Sequence, residues 1–300
     1  MHYSVLKNEC IENLNIKKDG KYIDATMGYA GHSSLILENL GTGFLYGFDQ
    51  DILAVEHSTK VLSEISSNFK IFNTNFSNMK EMLEDTKVDG ILFDLGFSSP
   101  QIDDPSRGFS FMHDGPLDMR MGQSGKSAKD IIDNYKESEL AEIFFTYGEE
   151  KFSRNIAKKI VENKKDINTT LELVEVIKNA VGANYFFKQH PERKIFQALR
   201  IEVNMELSIL SDSISQAVDL LNPNGRLCVI TFHSLEDRIV KKLFKNLSDI
   251  DDRVKGLPVI PEEFKPIVKI INKNVILPTE LELSENSRSR SAKLRVVEKL

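Results

Sequence analysis

The chain has 300 residues, 41% of them apolar and 28% charged, with a formal net charge of −6. Those proportions belong to a globular protein with material for about two domains, and they exclude collagenous, low-complexity and disulfide-scaffold chains. The acid excess also argues against an electrostatic grip on nucleic acid spread over the whole surface.

No apolar run reaches the roughly 18 residues of a membrane span, so no membrane partner is expected. Met1-His2-Tyr3-Ser4 lacks the basic start and apolar core of a signal peptide. Cys10 and Cys228 lie far apart and have no metal-ligand spacing, which points to reduced buried thiols and to no metal site. Cytoplasm is the default compartment. The oligomeric state stays open, a homodimer included.

Tyr22-Ile23-Asp24 leads into the small-residue turn Ala25-Thr26-Met27-Gly28-Tyr29-Ala30-Gly31, after which Ser33 and Ser34 open an amphipathic run. A buried strand hands over to a helix N-terminus in this way around a nucleoside-type cofactor. Gly43 to Asp49 reads as the next strand, and Asp49 follows Gly28 by 21 residues. An acid about 20 positions past a glycine turn is placed to accept from ribose hydroxyls. The dinucleotide fingerprint needs three glycines, but only Gly28 and Gly31 are present, and Asp24 would repel a pyrophosphate while suiting a cationic methionine end. A methyltransferase, a dinucleotide enzyme and a turn with no ligand all stay open at this point.

Apolar spacing predicts a helix over Ile52–Ile65 and strands over Lys70–Asn73 and Val88–Asp94. Alternation of this kind implies parallel strands with crossover helices, hence an α/β fold. Asp24, Asp49 and Asp94 then share the carboxyl edge, where ligands of such sheets bind. From Asp104 to Val203 the pattern changes. A glycine-bearing loop, 105–125, precedes helices over 128–135, 137–147, 149–162 and 170–180, which read as an inserted helical domain. One long helix is expected over 201–221, stopped by Asn222-Pro223-Asn224-Gly225. A strand over 225–232, a helix over 235–247 and a hairpin-like pair, 268–277 with 292–297, complete the reading.

Asp94 and Phe97 have the spacing of an amine acceptor and a base-stacking aromatic, as in amino-group methyltransferases. Four further segments have no explanation in periodicity: Arg107–Phe111, Gly115–Met121, Phe196–Asn204 and Phe232–Lys241. Together with the Asp24–Ser33 turn and Asp94–Asp103, they closely resemble the bacterial small-subunit rRNA cytosine-N4 methyltransferase family, known as RsmH or MraW. The resemblance runs from His2 to Arg295. It implies a Rossmann-like class I sheet of seven strands, with residues 1–103 and 204–300 forming the cofactor domain. Residues 104–203 would be the inserted helical domain, serving substrate recognition.

The resemblance further implies that S-adenosylmethionine methylates a decoding-centre cytosine of 16S rRNA, on an assembled or partly assembled small ribosomal subunit. Carried over by motif position, the cofactor contacts fall on Ala30, Gly31, His32, Asp49, Phe76, Asp94 and Gln101. Asp49 would take the ribose and Phe76 the adenine face. Asp94 is the first candidate to accept the amine proton; Asp118, Arg120 and His233 are secondary. Plainer roles stand beside these, with Asp118 and Arg120 tying down a loop and His233 capping a helix. Basic residues at Lys188, Arg193, Lys194 and Arg200, and from Arg288 to Lys299, would meet phosphates. Ala30 stands where the family usually has glycine, a small change unless the position needs a positive φ. Phe97 replaces valine, Lys194 arginine and Ser287 proline.

Overall fold

The computed structural model describes residues 4–300 except 85, 123 and 251. Met1, His2 and Tyr3, on which the start of the resemblance rests, lie outside the described residues. The chain divides into two compact units, 1–96 with 207–300, and 97–206.

The first unit is built on seven strands: β1 Lys21–Asp24, β2 Phe44–Asp49, β3 Phe69–Asn73, β4 Val88–Asp94, β5 Leu221–Thr231, β6 Val268–Ile270 and β7 Lys293–Lys299. Their order in the sheet is β3-β2-β1-β4-β5-β7-β6. β3, β2, β1, β4 and β5 run parallel, while β7 is antiparallel to both β5 and β6. Parallel strands need helices on both faces, so their side chains are buried whichever way they point. Ile91 and Phe93 of β4 accordingly pack with Ile214 and Val218 of helix Glu206–Leu220 and with Val240 and Phe244 of helix Ser234–Ser248. Leu92, between them, joins the opposite cluster with Cys10, Ile36 and Leu62, from helices Lys7–Leu14, Gly31–Asn39 and Ile52–Ile65. This is the α/β, Rossmann-like architecture expected of the sequence, with the second unit following β4 in the chain.

The second unit is helical. Leu140, Phe144, Ile156, Ile160, Leu173, Ile177, Ile195 and Leu199 form its centre, from helices Glu137–Thr146, Ser153–Asn163, Thr170–Val181 and Pro191–Asn204. Residues 97–103, read from the sequence with the sheet, group with this unit, where Phe97 stacks on Phe109 with centroids 5.6 Å apart.

The expected long helix over 201–221 is two helices. Pro191–Asn204 ends at Met205, whose φ of 52° is left-handed, and Glu206–Leu220 starts anew. The cause is Asn204, whose amide donates to Arg200 O at 2.8 Å and to Met119 O at 2.9 Å while its oxygen accepts from Met121 N at 2.8 Å. A side chain tied to a neighbouring loop fixes the break where periodicity alone continues. The helix expected from 149 starts at Ser153, because Glu150 turns its carboxylate onto the Phe152 amide at 2.9 Å. Helix Ala183–Gln189 went unread, ending at a left-handed His190 beside Pro191. The C-terminal pair also differs in detail: β6 stops at Ile270, beyond which Ile271 N donates to Val296 O at 3.0 Å and Ile276 forms an isolated bridge with Leu294.

Beyond a short turn at Pro105–Arg107, residues 108–122 have almost no regular structure, yet they are fixed. Arg107 donates through Nη2 to the carbonyls of Arg120 and Met121, both at 3.0 Å. Gly108 has φ +71°, and a Cβ there would overlap the Pro116 carbonyl and lie 2.8 Å from the Asp118 nitrogen. Gly108→Ala is therefore expected to destabilise the helical unit by about 3 kcal/mol. A urea titration of that unit's transition checks it; an unchanged midpoint would show that the limbs do not press on each other.

Candidate active site

The turn after β1 is bonded to the strands on either side. Met27 N donates to Phe48 O at 3.0 Å and Ala25 N to Leu92 O at 2.9 Å. Thr26 Oγ1 accepts from Asp94 N at 2.6 Å, so the ends of β1 and β4 are held together by a side chain. On the other side Gly28 N donates to Asp49 Oδ2 at 2.8 Å, and Ser58 Oγ donates to Gly28 O at 2.7 Å. Thr26 and Ser58 were not singled out by sequence reasoning, and Ser33 was read as the opening of a helix rather than as a partner of Asp24. For Thr26 the available signal was a lone hydroxyl residue inside an otherwise small and apolar turn.

The three strand-end acids live in different surroundings. Asp24 is 1% exposed, accepting from Ser33 Oγ at 2.7 Å and Thr26 N at 3.2 Å. Burial raises its pKa to about 6 against those two hydrogen bonds. Its carboxylate thus braces the turn, so the cationic-end contact suggested by the sequence is not its visible work. Asp49 is half-buried and accepts from Gly28 N and Asp51 N, both at 2.8 Å; burial raises it to about 6 as well. Each oxygen of a carboxylate has a second lone pair, which leaves Asp49 able to accept from a diol. In Asp94, Oδ2 lies 3.5 Å from His32 Nδ1, while Oδ1 is buried with no hydrogen-bond partner. Burial, then the charges of Asp24, Glu236 and Glu282, push the Asp94 carboxyl well above its usual range.

Ala30, Gly31, His32, Asp49, Phe76 and Asp94 all belong to the first unit, at or just beyond the carboxyl ends of β1, β2, β3 and β4. The half-buried Phe76 ring meets Phe93 edge-to-face, with centroids 5.3 Å apart. Gln101 belongs to the second unit, where its Oε1 accepts from Ser98 N at 2.9 Å and caps a short helix. The residues of the first unit fit S-adenosylmethionine. They offer a diol acceptor, a close-approach turn and an aromatic ring, and Asp94 Oδ1 is an orphaned buried acceptor for one amine, the cofactor's or the substrate's.

The secondary candidates are engaged locally. Arg120 grips Asp118 with two parallel bonds, Nε to Oδ1 and Nη2 to Oδ2, each 2.8 Å. Partial burial works against the Asp118 charge, but the Arg120 bonds outweigh it and hold the carboxyl low. His233 is the N-cap of helix Ser234–Ser248, and Glu236 accepts from the Phe232 and His233 amides at 2.9 and 3.3 Å. Both arrangements are the plainer roles raised from sequence. Phe97 is stacked on Phe109 and covered by the Arg200 guanidinium 4.6 Å from its centroid, so a base would have to displace one of them. Many of the basic residues are paired as well. Arg200 is bidentate to Glu206, Lys194 reaches Glu150 at 3.1 Å, and Lys293 and Arg295 share Asp237.

Ala30 has φ +66°, so its position does demand the left-handed region. Ala30→Gly would relieve about 1–2 kcal/mol of strain and lose a buried methyl worth about 0.8 kcal/mol. Stability within about 1 kcal/mol of the parent is expected, whereas branched Ala30→Val should lose about 2 kcal/mol or more. Chemical denaturation of the two variants tests this; a tolerated valine would refute it.

The sequence profile of the MraW methylase family matches residues 1–300. The chain is 50% identical over 306 residues to ribosomal RNA small subunit methyltransferase H of Exiguobacterium sibiricum, covering 100% of this chain and 98% of the relative. An rRNA methylase from Streptococcus thermophilus aligns over 98% of this chain and 93% of its own, with TM-score 0.43 and 13% identity. TrmN from Thermus thermophilus covers 98% of this chain and 48% of its own, with TM-score 0.44 and 12% identity. The full-length match and the half-identical relative settle kinship: this chain belongs to the MraW methylase family and is an S-adenosylmethionine-dependent methyltransferase.

Proposed function

We propose that the chain methylates the exocyclic N4 amine of a decoding-centre cytosine in 16S rRNA. The acceptor is an assembled or partly assembled small ribosomal subunit in the cytoplasm. The observation that carries this reading is 50% identity across essentially the whole chain to a methyltransferase named for small-subunit rRNA.

S-adenosylmethionine supplies an electrophilic methyl group when bound. The backbone of Ala30, Gly31 and His32 would hold its methionine part, Asp49 would accept from its ribose hydroxyls, and Phe76 would pack on the adenine. Gln101 is the remaining cofactor residue that the resemblance assigns. The cytosine amine is a poor nucleophile, since its lone pair is delocalised into the ring. Asp94 would accept a hydrogen bond from that amine, favouring a pyramidal nitrogen, and would hold the proton the amine loses when it takes the methyl group and S-adenosylhomocysteine departs as the leaving group. A carboxyl whose pKa is raised by burial is a stronger base than an ordinary aspartate, which suits that step.

The helical insertion, 104–203, serves substrate recognition. Phe145 and Phe187, 66% and 65% exposed, offer stacking surface for unpaired bases, and exposed Lys188, Arg288 and Arg290 offer charge to phosphates. An assembled particle presents a fixed shape, which lets an acidic enzyme bind RNA without a large basic field.

Labelled S-adenosylmethionine offered to unmethylated subunits and to naked 16S rRNA, with nucleoside analysis, is the direct test. N4-methylcytidine on subunits is the expected product; label in another nucleoside, or none, would sink the reading. Asp94→Asn should lower kcat by about 10²–10⁴; unchanged turnover would remove Asp94 from the chemistry.

Asp49 also predicts a pH dependence. Its folded pKa of about 6 lies above the ordinary 3.8, so the folded protein holds a proton that the unfolded chain has released between those values. That stability is full below the unfolded value and is lost as pH rises through about 6. Ribose hydroxyls favour the carboxylate, so S-adenosylhomocysteine should bind more tightly as pH rises from 5 to 7. Calorimetric titration of Asp49→Asn should show a weaker and flatter profile; a parallel one would deny Asp49 the ribose.

A further inference from the structure

His32 opens helix Gly31–Asn39 and is 5% exposed. Its ring stands between two partners of this chain. Nε2 lies 2.9 Å from the Val5 carbonyl oxygen, and Nδ1 lies 3.5 Å from Asp94 Oδ2. A carbonyl only accepts, so Nε2 carries hydrogen and donates to it. A neutral ring then presents the Nδ1 lone pair to Asp94. One proton serves that contact, carried either by the carboxyl or by the ring.

Val5 is itself tied down. Leu6 N donates to Glu282 Oε1 at 2.9 Å, and Ser4 Oγ fills space that a Cβ on Gly31 would occupy. The Ser4–Leu6 segment therefore lies directly on the cofactor turn, and glycine at 31 is what lets it approach. Asp94 is held from the far side by its own amide on Thr26 Oγ1 at 2.6 Å, which leaves Oδ1 as the oxygen without a partner. The other ionisable groups facing Asp94 are Asp24 on β1, Glu236 after β5, Glu282 near the C-terminus and the Cys10 thiol.

We infer that His32 is a positioning residue, whose imidazole joins the Ser4–Leu6 segment to the Asp94 carboxyl and thereby fixes the plane in which Oδ1 meets the substrate amine. The inference rests on Asp94 serving that amine. It assigns the side chain of His32 to Asp94 and leaves the cofactor to the backbone of residues 30–32.

The test has a spectroscopic and a kinetic arm. Imidazole nitrogen NMR of the wild-type protein should show His32 protonated at Nε2, with an Nδ1 shift that moves in Asp94→Asn. Protonation at Nδ1, or an Nδ1 shift indifferent to that substitution, would overturn the inference. In methyl transfer, His32→Gln keeps a donor for Val5 but loses the Asp94 contact. It should lower kcat about 10- to 100-fold, move the acidic limb of the kcat profile, and leave S-adenosylhomocysteine affinity within about threefold. In an Asp94→Asn background it should have no further effect on kcat. Equal losses of affinity and kcat, or effects that multiply, would overturn it. Should His32→Gln fail to fold, the wild-type ring shifts decide. Full kcat in Asp94→Asn would refute the amine role while the NMR contact still stood or fell by itself.

Discussion

Carboxylates at the ends of parallel strands are the constraint around which the first unit is arranged. Asp24, Asp49 and Asp94 end β1, β2 and β4, and burying a charge costs free energy unless hydrogen bonds replace the lost water. The turn after β1 supplies those bonds unequally. Asp24 takes a hydroxyl and an amide, and Asp49 takes two amides. Asp94 is left with a distant imidazole on one oxygen and nothing on the other. Asp24 has become structure, Asp49 keeps a second lone pair on each oxygen, and Asp94 keeps one buried oxygen with no protein partner.

The second unit answers a different problem, holding an irregular loop still. Three segments that no periodicity explains converge there, and each supplies one piece of the fastening. Arg107 grips the carbonyls of residues 120 and 121, Asn204 holds the backbone of 119 and 121, and Asp118 pairs with Arg120. Polar side chains bonded to backbone act where helices and strands cannot, because loop amides and carbonyls otherwise lack partners. A fixed loop of that kind loses little entropy when a ligand arrives, which favours tight recognition.

The parallel sheet was legible because buried strands and amphipathic helices have distinct periods, and Ile52–Ile65 and Val88–Asp94 match their expected bounds. The break at Met205 was hidden, since apolar spacing continues through it and the side chain responsible makes its bond 85 residues away. Family resemblance located Asp94 and His32 but gave no relation between them. That relation depends on β4 lying beside β1, which places residues far apart in sequence at one strand end. The left-handed φ of Ala30 was signalled by the family's usual glycine at that position, although an alanine itself carries no mark of it.

Charge counted from sequence does not say which cations are engaged within the protein. The two basic clusters read either as solvated faces or as phosphate contacts, and in the structure Arg200, Lys194, Lys293 and Arg295 hold acids of their own unit. An arginine bidentate to a carboxylate has one edge of its fork, two of about five N–H donors, occupied, and freeing that edge for a phosphate would strand a partly buried acid. Of the two clusters, Lys188 and Arg193 in the helical unit and Arg288 and Arg290 in the turn at 287–291 are exposed. Long-range attraction is then a weak source of affinity for a chain of this net charge. Selection of the proposed RNA falls to short-range contacts, which in the proposed function are stacking on exposed phenylalanines, a fixed loop and the Asp94 carboxyl. In that reading the Asp94 contact would both recognise the amine and take its proton, so at that residue recognition and catalysis would draw on one interaction.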